Sequence, residues 1–261
     1  MRALRNPALV LALAGLPLAA AQASEAGDAV RFIACPVYRD TDAGLKSGCW
    51  LATDPATGVR WDVTMSPHKP DWNHAVLVEG TVAGDEGSLC GAPSLDPVRT
   101  SVLDMPCVRH MLPAEGYPGR RFELPPRNIN PRAVAPVVSE DERRDRTFTL
   151  FFAFDQDFVV YQYSDYLLDQ AAHWIRAAEP RRLVVTGFAA SAPEDVSGTL
   201  IAERAELAQL RADKIALSLS RLFPGMPIET HAVAGAGVTD HPDADGIPGQ
   251  SQRRVEIIAQ F

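Results

Sequence analysis

The chain of 261 residues carries 33 acidic and 25 basic side chains, a formal net charge of -8 and 21 prolines, with a mean hydropathy of -0.07. Those values exclude a multi-pass membrane protein and point to a water-soluble globular chain of one or two domains. The acidic balance disfavours nucleic acid as a partner, because phosphate backbones are held by clustered lysine and arginine.

Residues 1–23 read as a secretory signal peptide. Arg2 and Arg5 form a basic start, Ala8 to Leu18 is apolar, and Ala21-Gln22-Ala23 places small residues at the cleavage position. The apolar run is too short to span a bilayer and nothing later approaches about 20 apolar residues, so no transmembrane segment is expected after cleavage. No cysteine follows the cleavage site, which argues against a lipid anchor.

Residues 24–110 form a β-rich module, with strand-like runs at Val59 to Thr64, Ala75 to Val82 and Val98 to Met105. The turn signal Asp54-Pro55-Ala56-Thr57-Gly58 between Cys49-Trp50-Leu51 and Val59-Arg60-Trp61 predicts a hairpin. Trp50, Trp61 and Trp72 are read as packing residues, with no ligand assigned to them. Cys35, Cys49, Cys90 and Cys107 all lie in or beside this module, and an even number in an exported chain predicts two disulfides. Three connectivities are open. Short local loops favour Cys35 with Cys49 and Cys90 with Cys107. A four-thiolate zinc site is the rival reading, but its ligands usually come in close C-x-x-C pairs, which this sequence lacks.

Residues 111–146 hold Pro113, Pro118, Pro125, Pro126, Pro131 and Pro136, then the run Glu140-Asp141-Glu142-Arg143-Arg144-Asp145-Arg146. Proline fixes φ and removes amide donors while the charges keep the segment solvated, so a stiff linker holding two modules apart is expected.

Residues 147–261 carry the clearest periodicity. Phe148, Leu150, Phe152 and Phe154 alternate along a strand, and a helix capped by Ser164 follows, with Leu168, Ala171, Ile175 and Ala178 on one face and Pro180 as its stop. Arg182 to Phe188 is a buried strand. A long helix is expected from about Thr199 to Phe223, with Pro224-Gly225 ending it, then strands at Ile228 to Ala234 and Arg253 to Ala259. The order β-α-β-α-β-β makes the whole chain α+β, with a mixed sheet and both helices on one face.

Four motifs in this half resemble the OmpA-like C-terminal domain family: FxFDxD at Phe152 to Asp157, V-x-G at Val185 to Gly187, L-x-x-x-R-A-x-x-I at Leu207 to Ile215, and Q-R-R-V-E-I at Gln252 to Ile257. The resemblance covers residues 147–261, and Gln252 stands where the family usually has asparagine. It implies a periplasmic cell-envelope protein, associated with the outer membrane or cell wall of a Gram-negative bacterium. The implied ligand is the diaminopimelate of the peptidoglycan stem peptide, a zwitterion whose carboxylate is gripped by an arginine and whose ammonium is gripped by an aspartate.

Carried over, the family arginine is Arg211. No carboxylate lies three or four residues from it on the expected helix, so a structural and a ligand-binding role both stay open. Where the family has G-H-T-D, this chain has Gly187-Phe188-Ala189-Ala190, so Ala190 replaces the aspartate. The connecting loop is longer than usual for the family and contains Glu194 and Asp195, either of which could substitute. Peptidoglycan binding should therefore be weak, and the alternative is a degenerate domain that binds envelope proteins or serves assembly.

Catalytic patterns are missing from the sequence. His68, His74, His110, His173, His231 and His241 are scattered, there is no H-E-x-x-H or G-x-S-x-G, and Gly235-Ala236-Gly237 opens no helix. Asp240, Asp243 and Asp245 resemble a fragment of a calcium loop without its terminal glutamate. The sequence thus predicts a protein that is not an enzyme and needs no metal or cofactor.

Overall fold

The computed structural model describes residues 25–41, 48–84, 89–114, 116–118, 136–160, 164–239, 241, 244 and 246–261. The signal peptide, most of the proline-rich segment and Asp240, Asp243 and Asp245 lie outside the described residues.

The first half is two small sheets. In one, β1 (Ala29–Ala34), β5 (His74–Val82) and β6 (Leu95–Pro106) run in the order β1-β5-β6, antiparallel throughout. In the other, β4 (Arg60–Asp62), β3 (Cys49–Thr53), β2 (Pro36–Arg39) and β7 (Met111–Leu112) lie in the order β4-β3-β2-β7. Phe32, Val76, Val78 and Val98 from the first sheet meet Trp50, Ala52 and Trp61 from the second in one apolar cluster, and Trp72 packs at its margin. Asp54 builds the hairpin between β3 and β4, accepting from the Ala56 amide and the Thr57 hydroxyl, while Gly58 takes a φ of 72°. Met111 and Leu112 pair with Tyr38 and Arg39, so the module boundary expected at residue 110 falls inside this sheet.

The expected disulfide pairing is corrected by this topology. The bonds are Cys35–Cys107 and Cys49–Cys90, with Cα separations of 5.6 and 5.8 Å. Because β1 and β6 are both antiparallel to β5, they run the same way and end at the same margin of their sheet. Cys35 and Cys107 follow those two ends, so sheet pairing brings together residues 72 apart in sequence. Loop length alone could not reveal that.

The second half holds β8 (Arg146–Phe151), α1 (Ser164–Ala178), β9 (Arg182–Ala189), β10 (Glu194–Val196), β11 (Thr199–Ile201), α2 (Leu207–Leu222), β12 (Ile228–Ala234), a single-turn α3 (Pro248–Ser251) and β13 (Arg254–Gln260). Its mixed sheet has the order β12-β9-β13-β8, with β12 parallel to β9. Leu150, Leu183, Val185, Val255 and Ile257 on the sheet share one core with Ala171, Trp174 and Ile175 of α1 and Ala212, Ile215 and Leu219 of α2, so both helices cover the same face. At Gly187 a Cβ would stand 1.9 Å from the Ala208 carbonyl oxygen, and the V-x-G motif therefore marks where α2 lies directly on β9. Ser164 does not act as the expected cap; its hydroxyl donates to the Phe151 carbonyl.

The long helix expected from Thr199 starts instead at Leu207, and residues 194–201 form the β10–β11 hairpin. Ile201 is drawn away from its expected helical position by an apolar cluster with Val196, Ile33, Leu77, Leu103 and Phe154. That cluster joins the two halves.

The junction is polar as well. Arg253, immediately before β13, forms a buried ion pair with Glu79 of β5, and Glu79 also accepts from Arg31 Nε at 3.0 Å. The Phe154 amide donates to Ser101 Oγ at 2.8 Å, and the Ile33 amide to Ser197 Oγ at 3.1 Å. A Cβ on Gly249 would stand 2.0 Å from Glu79 Oε1, so any larger residue there must push that carboxylate aside. The expectation of modules held apart is therefore not met in the described residues. Limited proteolysis between residues 119 and 135 should leave the two fragments co-eluting on size exclusion, and Gly249→Ala should separate them by pushing Glu79 away from Arg253. Fragments that separate without that substitution would show the junction to be too weak to matter.

Candidate functional site

The site grows from the turn that ends β8. The FxFDxD sequence leaves the strand after Phe151, and Asp155 adopts a φ of 54°, which turns the Ala153 and Gln156 carbonyls toward α2. A residue one turn into α2 faces them. That residue is Arg211, fully buried, with its guanidinium carbon 5.1 Å from the Phe152 ring centroid.

Every donor of Arg211 is used. Nε donates to the Gln156 carbonyl at 2.8 Å, Nη1 to the Phe188 carbonyl at 2.8 Å and Glu203 Oε2 at 3.0 Å, and Nη2 to the Ala153 carbonyl at 3.4 Å and Glu203 Oε1 at 2.6 Å. A guanidinium has five N–H groups, and these contacts account for all of them. The fork-to-fork geometry with Glu203 is the strong, directional form of a charge-assisted hydrogen bond.

Glu203 is equally satisfied. Oε1 also accepts from the Asp155 amide at 2.8 Å and Oε2 from the Ala190 amide at 2.7 Å, and neither partner of the ion pair is exposed. The Glu203 amide returns a bond of 3.0 Å to the Ala190 carbonyl, closing the base of the β10–β11 excursion. Arg204, the next residue, reaches Asp155 Oδ1 through Nε at 3.2 Å.

The residues named from sequence divide accordingly. Arg211 lies at the centre of the site, and Ala190 touches it only through its backbone. Neither Glu194 nor Asp195 reaches Arg211: Glu194 pairs with Arg31 of the first half, and Asp195 Oδ1 accepts from the Gly198 amide at 3.0 Å in the hairpin turn. The partner of Arg211 is Glu203, which sequence reasoning did not single out. In a helix begun at Thr199, Glu203 would sit eight residues before Arg211, about 12 Å away along the axis. Only the late start of α2 lets its side chain fold back.

The closing motif is also structural. Arg253 locks the two halves, while Arg254 stacks 3.7 Å above the Phe188 ring centroid and bonds Glu256 at 2.7 Å. Between the halves, Arg253 and Gln250 line a small cavity with Pro67, His68, Arg99 and Phe152. Burial holds the His68 imidazole below its ordinary pKa. Among the described residues no group of three or more histidine, cysteine, aspartate or glutamate side chains is arranged to hold a metal. Likewise, no described helix is long and apolar enough to cross a membrane.

Neither a scan against protein-family models nor a search of curated proteins finds a match. Among solved structures, the cell wall anchor of the T6SS from Pseudomonas aeruginosa is similar at 22% identity with a TM-score of 0.33, covering 44% of this chain and 81% of that one.

Proposed function

We propose that this is a non-catalytic, periplasmic cell-envelope protein whose second half is a divergent OmpA-like domain that associates only weakly with peptidoglycan. One observation carries the reading. Arg211, at the position that matches the family's ligand arginine, grips a carboxylate with both ends of its guanidinium, but that carboxylate belongs to Glu203 of the same chain. The scaffold and the chemistry of the grip support the family resemblance; the occupied grip supports weak binding.

The same observation favours a second reading, in which the domain serves protein interaction or assembly and has given up peptidoglycan. Cosedimentation of the full mature chain with purified sacculi separates the two. Weak pelleting that is competed by free diaminopimelate supports the first, and pelleting indistinguishable from a buffer control supports the second. Placing an aspartate at Ala190 should not strengthen binding, because its carboxylate would lie beside that of Glu203 and repel it.

A further inference from the structure

Four donors converge on the Glu203 carboxylate from three separate segments: Nη1 and Nη2 of Arg211, the amide of Asp155 and the amide of Ala190. None of the other three residues needs Glu203 in order to be held in place. Arg211 is fixed by three backbone carbonyls and by its ring contact with Phe152, Asp155 sits in the turn after β8, and Ala190 directly follows β9. This is a preformed, dry receptor for one carboxylate.

Its occupant is delivered by an excursion held elsewhere. Residues 194–201 leave the second half as the β10–β11 hairpin and dock on the first half, through the Arg31–Glu194 ion pair, the Ile33 amide on Ser197 and the apolar contacts of Val196 and Ile201 with Ile33, Leu77 and Leu103. Glu203 follows two residues after that hairpin. We propose that residues 191–206 form an autoinhibitory strap: Glu203 is a tethered internal ligand in a carboxylate receptor, and docking of the hairpin on the first half keeps it there. A carboxylate-bearing molecule enters when the strap lifts. This inference stands on the geometry and not on the peptidoglycan reading, whose failure would leave it untouched.

Replacing Glu203 by alanine removes CH2 and COO⁻, the heavy atoms of acetate. Thermal unfolding of Glu203→Ala, Glu203→Gln and wild type is therefore compared in sodium acetate and in sodium chloride at equal ionic strength. With acetate at ten times its Kd, Glu203→Ala should gain about 3–6 °C over chloride. Wild type and Glu203→Gln, whose side chains fill the receptor, should not respond. If Glu203→Ala fails to fold in chloride, recovery of folded protein in acetate but not chloride supports the receptor equally. Equal behaviour of Glu203→Ala in the two salts, folded or unfolded, overturns it.

The strap is tested by hydrogen exchange on the Val196→Ala/Ile201→Ala variant. The Asp155 and Ala190 amides should exchange more than tenfold faster than in wild type while the amides of β13 do not change, and acetate should slow them again. Rates that stay at wild-type values, or that rise together with β13, would show that the hairpin does not control the site.

Discussion

Replacing Arg211 by alanine should lower the stability of the protein by about 3–5 kcal/mol, the range for breaking a buried ion pair by removing one partner. The cause is that Glu203 stays buried with two amide donors but no counter-charge, while the carbonyls of Ala153, Gln156 and Phe188 lose their donors. Urea unfolding followed by circular dichroism measures the loss as a shift in midpoint at unchanged slope. The apolar double replacement Arg211→Met/Glu203→Leu should recover only part of it. In a simple ion pair such a swap is often neutral, yet here each partner also serves backbone groups, and each orphaned group costs about 1–3 kcal/mol. Full recovery by the double variant would mean that water enters and takes over those bonds. Because Arg211 holds the fold, its loss would also weaken sacculus binding through unfolding, so Glu203 is the cleaner position at which to read function.

The periodic parts of this chain were legible because burial on one face writes itself directly into the sequence. The alternation of Phe148, Leu150 and Phe152 predicts β8, and Ala171, Ile175 and Ala178 predict the inner face of α1. Arg211 was legible as a site residue because it stands inside the R-A-x-x-I pattern of α2. Its partner was not, since Leu200, Ile201 and Leu207 have helix-compatible spacing, and only the cluster with Ile33 and Leu77 pulls residues 199–201 into a strand. Propensity lost to tertiary packing at that point. Glu79 was hidden for a related reason: a single acid within His74–Val82 looks like an exposed position on a strand, whereas its counter-charges lie 48 residues earlier at Arg31 and 174 residues later at Arg253. A lone carboxylate flanked by Val78 and Gly80 in a run of buried residues is the signal that a distant cation must exist.

Replacing Cys49 and Cys90 together by alanine should cost about 4 kcal/mol, and the same change at Cys35 and Cys107 slightly more, since the chain-entropy model grows with the logarithm of loop length. The sequence separations are 41 and 72 residues. The smaller loop is nested within the larger, so each bond already shortens the loop that the other closes; each single loss falls somewhat below its full-loop value, and removing both should cost more than the two single losses added. The consequence should reach Arg211. Cys35 and Cys107 tie the ends of β1 and β6 across β5, the strand that carries Glu79 and Leu77, and β1 supplies Arg31 and Ile33 to the β10–β11 hairpin. Full reduction should therefore loosen the hairpin along with the first half. Non-reducing peptide mapping checks the premise by finding Cys35 joined to Cys107, and hydrogen exchange under reductant checks the consequence, with the Ala190 amide losing protection in step with the amides of β5. A reduced protein in which β5 exchanges freely while Ala190 stays protected would show that the second half keeps its own site closed, with Arg211 and Glu203 sufficient to hold the hairpin base without help from the first.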